Sequence, residues 1–182
     1  MAYTTPRTWT AGETVTAALM NTHLRDNLTA IVGANPLVVP AARVYNNADI
    51  TVANNTETTL TFNSETFDTD TIHDNSTNPE RLTCKTAGIY LVYANIQFAT
   101  DADGVRQVIF YVNGTTDSFA YQSLQARSAG PTHVALVGVY SLAVNDYVIC
   151  RVQHTAGNNL AISAPGLQHS PVFGMSYIGK AS

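Results

Sequence analysis

The sequence predicts an all-β protein, an antiparallel jelly-roll β-sandwich of about ten strands with a short N-terminal helix. From Ala42 onward, apolar and polar residues alternate in short runs that are separated by Asn, Asp, Gly and Pro. Before that point, apolar residues recur at spacings of three and four, which predicts a helix. Strands and helices do not alternate along the chain, so a parallel α/β fold is disfavoured.

The amino-acid composition narrows the class of protein and its partners. Only 12% of the 182 residues are charged, against a usual share of roughly 25%. The net charge of −4 disfavours a cationic phosphate-binding face, so we predict no nucleic-acid partner. No apolar run reaches the length of a membrane span, and MAYTTPRTW lacks a signal-peptide pattern. We therefore expect no membrane partner and synthesis in a cytoplasm.

The predicted helix has a recognisable start, stripe and end. The segment from Thr10 to Glu13 fits a capping box, which predicts the first turn. Gly33 is the expected end of the helix. The apolar stripe on one side consists of Leu19, Met20, Leu24, Leu28 and Ile31. A lone helix of this length is marginal in water, so this stripe is expected to pack on a partner.

An extended linker is predicted between the helix and the strands. The segment GANPLVVPA, from Gly33 to Ala41, contains two prolines, which forbid helix and discourage a central strand. The chain then divides into an N-terminal arm, residues 1–40, and a head domain, residues 41–182. Trp9 lies in the arm, where it either staples the helix start or anchors in a partner's pocket, or packs on its own domain.

The clearest strand is GIYLVYANIQF, from Gly88 to Phe98. One face carries Tyr90, Val92, Ala94, Ile96 and Phe98, and the other begins with Ile89, Leu91 and Tyr93. Further strands are predicted in RQVIFYV, THVALVGVYSL, DYVICRVQH and VFGMSYIG, with turns at Asn113-Gly114 and Asn145-Asp146.

Two of these strands are apolar on both faces, namely Gly88–Tyr93 and His133–Leu142. A strand of a β-sandwich normally has one buried and one solvated face. The second face is therefore covered either by another element of the chain or by another subunit. The low charge of the chain favours a subunit interface.

The sequence offers little catalytic chemistry, and we predict that the protein is not an enzyme and has no cofactor. It contains no G-x-S-x-G and no H-E-x-x-H. A glycan hydrolase built on Glu65, Asp68 or Asp70 remains the enzymatic alternative. The two cysteines, Cys84 and Cys150, are interpreted as buried free thiols, with a disulfide between neighbouring strands as the alternative.

The most polar stretch, from Asn63 to Glu80, contains three aspartates close together, Asp68, Asp70 and Asp74. Calcium prefers several oxygen ligands, which makes these residues weak calcium candidates. The spacing and glycine of an EF-hand loop are absent. The alternative interpretation is a solvated loop between strands, and we predict no metal.

The β-region resembles the globular head of the complement-component and tumour-necrosis-factor jelly-roll superfamily. The matching segments occur in order and are RLTCKTAGIYLVYANIQF, VIFYVNG, VYSLAVNDYVICRV and VFGMSYIG. Leu82 replaces the usual aromatic residue, and Asn145-Asp146 replaces Gly-Asp. The resemblance implies a ten-stranded jelly roll that forms a tight homotrimer, with aromatic residues of the long strands at the interface. In this chain those residues would be Tyr90, Tyr93, Phe110, Tyr111, Tyr140 and Tyr177.

The arm carries a second resemblance. TWTAGETVTAALMNTHLRDNL is similar to an N-terminal segment of many tailed-bacteriophage structural proteins, with a Trp, a Gly-Glu and then Asn-x-His-x-x-Asp-Asn. This implies a virion protein that is assembled in the host cytoplasm.

Together, these observations predict a non-enzymatic phage virion structural protein. We expect a homotrimeric head (capsid) decoration protein, attached to phage capsid or tail proteins through residues 1–40. Three copies of the helical stripe could pack together, or the arm could dock on the virion. The alternative is a tail or fibre receptor-binding tip that contacts a host surface glycan or protein through loops such as Asp101–Gly104 and Ser128–Pro131.

Overall fold

A computed structural model describes residues 4–5, 7–28, 39–114, 118–166 and 169–181. The helical part of the arm comprises α1 (Ala17–Met20), a π-helical turn (Asn21–Arg25) and one further α-helical turn at residues 26–28. The strands are β1 (Ala41–Tyr45), β2 (Ile50–Val52), β3 (Thr58–Thr59), β4 (Ser64–Asp68), β5 (Arg81–Thr83), β6 (Gly88–Phe98), β7 (Val105–Val112), β8 (Ser118–Gln125), β9 (Thr132–Leu142), β10 (Tyr147–His154), β11 (Leu160–Ile162) and β12 (Val172–Gly179).

The strands form two antiparallel sheets. The first runs β2-β11-β6-β12-β1-β4, and β9 pairs along the other edge of β6. The second runs β3-β10-β7-β8, and β5 also pairs with β10. The sheets pack face to face, which confirms the predicted antiparallel jelly-roll sandwich. The short strands β2, β3, β5 and β11 bring the number of described strands slightly above the ten that turn spacing predicts.

The core lies between the sheets and follows the two-residue period of the long strands. In β6, Tyr90, Val92 and Ile96 share one face, as the period of two predicts, and this face is the buried one. Val148, Cys150 and Val152 of β10 face the same core from the other sheet. The largest members of the core also include Phe62, Phe98, Phe110 and Phe173.

Asparagine supplies the sharpest turns between strands. Asn113 and Gly114 have φ angles of 55° and 64°, and Asn145 has 74°. Asn and Gly tolerate this left-handed region better than other residues do. The turns predicted at Asn113-Gly114 and Asn145-Asp146 are thus present, and they set the ends of β7 and β10.

Both cysteines are free and fully buried, which confirms the interpretation as buried thiols. Desolvation raises the pKa of the Cys150 thiol far above its usual range. Burial also raises the pKa of Cys84.

The helix of the arm begins later than the sequence predicts. Thr10 and Glu13 do form a turn, in which the Thr10 N–H donates to Glu13 Oε2 at 3.3 Å. The chain leaves this turn without continuing as helix, because Gly12 takes a left-handed φ of 83°. The helix is capped instead by Thr16, whose Oγ1 accepts from the Leu19 N–H at 3.3 Å.

Parts of the predicted arm lie outside the described residues, namely Ile31, Gly33 and the linker up to residue 38. β1 begins at Ala41. Among the described residues, no helix has the length and apolarity needed to span a membrane.

Candidate interaction surfaces

The arm folds back on itself around the side chain of Asn27. Its carboxamide is paired with the backbone of Thr4 in both directions: Oδ1 accepts from the Thr4 N–H and Nδ2 donates to the Thr4 carbonyl, each at 2.9 Å. Nδ2 also donates to the His23 carbonyl at 3.2 Å. One side chain thereby fixes an extended segment against the helix, and Asn27 is almost completely buried.

Trp9 packs on its own arm. Its ring meets the His23 ring edge-on, with centroids 6.3 Å apart, and the Arg7 guanidinium lies 4.8 Å from its centroid. Arg7 also pairs with Glu13. Trp9 thus contacts residues of its own arm, and 41% of it stays exposed.

The apolar stripe of the helix faces away from this polar cluster. Met20, Leu24 and Leu28 are 41%, 52% and 59% exposed. They are four residues apart, so they form one line along the helix surface. Leu19 is half-buried. The arm therefore turns its polar motif inward and its apolar stripe outward, the reverse of an ordinary amphipathic helix packed on its own domain.

Two of the aromatic residues expected at a trimer interface lie inside the head. Tyr90 and Phe110 are fully buried in the sandwich core. The Tyr90 hydroxyl donates to the Thr86 carbonyl at 2.6 Å, and the Phe110 ring packs 5.6 Å from that of Phe173. This differs from the expectation that they contact neighbouring subunits, because period two places both on the inner face of their strands.

The other expected aromatics are divided among several places. Tyr177 is half-buried, with its ring 5.6 Å from the Tyr90 ring. Tyr111 lies on the outer face of the second sheet, where its hydroxyl donates to Glu57 at 2.7 Å and Arg151 lies 4.6 Å from its ring centroid. Tyr140 of β9 is 40% exposed, and its ring packs against that of Phe119 of β8.

The outer face of the first sheet carries a contiguous apolar patch. Its members are Leu91 and Tyr93 of β6 and Val137 and Val139 of β9, which we call the outer-face patch. The register pairs Leu91 with Val139 and Tyr93 with Val137, so these side chains are cross-strand neighbours. Val137 and Val139 are 60% and 56% exposed. The second apolar face of these strands is therefore left open by the chain itself.

A different surface lies at the edge formed by β8 and β9. Here Tyr140 and Phe119 have ring centroids 4.8 Å apart. Gly138 allows the two strands to approach, since a Cβ there would lie 2.9 Å from Ala120 Cβ and from the Phe119 ring. Leu124 of β8 is also exposed, whereas Tyr121 lies on the outer face of the second sheet, where its hydroxyl accepts from the Gln107 amide. This sandwich edge was not predicted as a unit, because the sequence does not reveal that β8 lies beside β9.

Each of the three calcium candidates accepts hydrogen bonds within the protein, two of them from the backbone of their own loop. Asp68 accepts from the backbone N–H of Asp70 and of His73, and Asp70 Oδ2 accepts from the Thr86 hydroxyl. Asp74 Oδ1 accepts from the backbone N–H groups that follow it. In the part of the chain that the structure describes, no group of three acids, histidines or cysteines is arranged to hold a metal.

His73 fastens this loop to the sheet. Its side chain is completely buried, with Nδ1 3.0 Å from Glu65 Oε1 and Nε2 3.2 Å from the Pro79 carbonyl. Glu65 also accepts from the Asn75 amide at 3.1 Å. Glu65, Asp68 and Asp70 are thus each hydrogen-bonded within the loop or to Thr86.

This sandwich consists of one seven-stranded and one five-stranded antiparallel sheet. It is a jelly roll of the kind found in tumour-necrosis-factor-like and complement globular-head domains. The crystal structure of murine APRIL at pH 5.0 is similar over 78% of this chain and 100% of its own, with a TM-score of 0.56 and 14% identity. The globular domain of zebrafish complement 1qA protein is similar over 78% and 99%, with a TM-score of 0.54 and 18% identity. No protein-family model and no curated protein matches the sequence. At these identities the likeness establishes the fold.

Proposed function

We propose that this protein is a non-enzymatic, homotrimeric structural protein. The observation that carries the proposal is the outer-face patch, whose valines remain more than half exposed. Apolar patches of this kind on a soluble protein mark interaction sites. The domains that the sequence resembles use their long strands to form trimers, which agrees with the position of the patch on β6 and β9.

The geometry supports a ring of three subunits. The outer-face patch and the sandwich edge are two different surfaces of one chain, and β9 contributes to both. A contact between unlike surfaces is heterologous, and it generates a closed ring when the rotation between subunits closes. In the proposed trimer, the sandwich edge of each subunit covers the outer-face patch of the next.

The trimer is tested with one substitution inside the patch and one matched control. Val139→Glu would bury an unpaired carboxylate in the interface, so we expect the trimer to dissociate at micromolar concentration. Val144→Glu is the control, because Val144 is 53% exposed but lies in the turn before β10. Light scattering of the full chain should give three subunits for the wild type and for Val144→Glu. A monomeric wild type, or a trimeric Val139→Glu variant, would overturn the proposal.

We further propose that the trimer decorates a phage head and is attached through the arm. Support comes from the resemblance of residues 8–28 to phage structural proteins and from the outward-facing line of Met20, Leu24 and Leu28. A decoration protein binds the assembled lattice more tightly than the loose shell and stabilises it by mass action. A trimer suits the local three-fold positions of such a lattice.

The location is tested by antibody labelling of purified virions in the electron microscope. Label distributed over the head is expected. Label confined to the tail tip would replace decoration by the receptor-binding alternative, and absence from virions would overturn both. Leu24→Asp tests the arm: the variant should remain trimeric in solution but be lost from virions, whereas Thr14→Asp, an exposed change of the same charge elsewhere in the arm, should be retained.

A further inference from the structure

A polar cleft of about 350 Å³ lies between strand β5 and the loop at residues 71–78. We propose that this cleft binds a carboxylated saccharide, a sugar of the uronic-acid or sialic-acid class. Its volume is at the lower end of the range of small-molecule sites, roughly 300–1,000 Å³. The proposal rests on the fold of one chain and requires neither the trimer nor attachment to a virion.

One wall of the cleft is a row of side chains along β5. Arg81 and Thr83 of β5 flank the buried Leu82 and therefore share the outward face of the strand, and Lys85, in the bend that follows β5, lines the same cleft. The Arg81 guanidinium lies 4.8 Å from the centroid of the Tyr147 ring on the neighbouring strand β10. This cation–π contact holds the guanidinium plane in place while leaving its edge free to donate.

The two cations in this row lack carboxylate partners. Among the described residues, the salt bridges of the head join Arg106 to Asp101, Arg151 to Glu57 and His73 to Glu65. None involves Arg81 or Lys85 in that part of the chain. Asp74, the acid of the facing loop, instead accepts hydrogen bonds from Ser76 and Thr77. Two of the nine lysines and arginines of an acidic protein therefore share one cleft, and neither forms a salt bridge in the described part of the chain.

The opposite wall is a loop held in a fixed shape. The Thr83 N–H donates to the Ile72 carbonyl at 2.7 Å, which ties the loop directly to β5. His73 also holds this loop in place, through its contacts with Glu65 and with the Pro79 carbonyl. Thr71 has a φ of 50°, an uncommon value for a β-branched residue. Strained residues of this kind cluster at ligand-binding positions, where the surrounding structure maintains them.

The lining favours a sugar that carries one negative charge. A guanidinium matches a carboxylate through two parallel hydrogen bonds, and Lys85 adds a second positive charge. The hydroxyls of Thr71, Thr77 and Thr83 can pair with sugar hydroxyls. Asp74 also lines the cleft as a carboxylate, which can accept from sugar hydroxyls but would repel a doubly charged phosphate. A single carboxylate surrounded by hydroxyls fits this combination of charges.

The test is ligand-observed saturation-transfer NMR on the full-length protein at low ionic strength. The probes are glucuronate and N-acetylneuraminate, with glucose as the uncharged counterpart and inorganic phosphate as a competing anion. We expect saturable binding of at least one acidic sugar and weakening by added salt, because the charges are exposed. Glucose should not bind, and phosphate at equal concentration should not displace the acidic sugar. Binding of glucose, or displacement by phosphate, would overturn the assignment to acidic sugars.

Four variants locate the binding site. Arg81→Gln should weaken the affinity about tenfold or more, and Lys85→Gln severalfold, because each removes a charge-assisted hydrogen bond. Arg127→Gln and Lys180→Gln remove the same charges from exposed positions outside the cleft and should leave the affinity unchanged. Thermal unfolding of each variant checks that the fold is retained. Equal loss in the control variants, or no loss in Arg81→Gln, would overturn the proposed site.

Discussion

At the scale of single residues, short hydrogen bonds decide how the polar loop is built. Asp74 is exposed, yet hydrogen bonds from the Ser76 backbone and hydroxyl and from the Thr77 backbone lower its pKa to about 2. These donors favour the charged carboxylate. The charged Asp74 carboxylate therefore stabilises the loop although its side chain is exposed to solvent.

This leads to a prediction about acid. Because the pKa of Asp74 is lower in the folded protein than its ordinary value of 3.8, its contribution to the free energy of unfolding is fully present above about pH 4 and is lost as the pH falls towards about 2. Asp74→Asn should remove that part of the pH dependence. Urea unfolding of both proteins between pH 2 and pH 5 measures it. Parallel pH profiles for the two proteins would contradict the assignment.

At the scale of elements, the arm is the segment whose internal contacts explain its sequence motif. His23 and Asn27 are the His and the second Asn of the arm's motif, and both contact the folded-back segment, His23 at Trp9 and Asn27 at Thr4. These two motif residues are therefore explained by how the arm folds, whereas the apolar stripe stays exposed.

Asn27→Ala should release this folded-back segment. The substitution removes the two hydrogen bonds to Thr4 and the one to His23, which together stabilise the arm by about 1–3 kcal/mol. Trp9 is the only tryptophan of the chain, so its fluorescence reports on the arm alone. We expect a red-shifted emission for Asn27→Ala and an unchanged one for Asn21→Ala, an exposed neighbour on the same helix. An unchanged spectrum for Asn27→Ala would show that Asn27 does not hold the arm.

The elements also show which features a sequence can predict. The grouping of the β6 side chains into two faces is predictable, because period two fixes which side chains share a face. Period two does not reveal which of two apolar faces is the core, and for this reason Tyr90 and Phe110 were expected at an interface. The helix begins later than predicted because both Thr10–Glu13 and Thr16 offer capping groups. The left-handed φ of Gly12 stops the first of these turns from continuing as helix. The row Arg81, Thr83 and Lys85 is visible in RLTCK, but the loop that faces it is brought there by tertiary contacts.

At the scale of the whole molecule, the proposed trimer couples folding to association. A chain whose outer-face patch is covered only by neighbours gains stability from trimer formation, and this gain depends on protein concentration. We expect the midpoint of thermal unfolding to rise by several degrees between about 1 μM and 100 μM for the wild type. The Val139→Glu variant should show no such rise. A midpoint independent of concentration in the wild type, measured by circular dichroism or calorimetry, would argue that the head is stable as a monomer.

The burial of both thiols also makes the folded protein convenient to label. Neither Cys84 nor Cys150 has exposed surface, and the raised pKa of each keeps it protonated at neutral pH. A cysteine introduced on the surface, for example at Ser128 in the exposed loop before β9, would then be the one thiol open to maleimide reagents. The native chain needs no cysteine removal first, so a fluorophore or heavy-metal cluster can be attached at a chosen point on an otherwise unaltered protein.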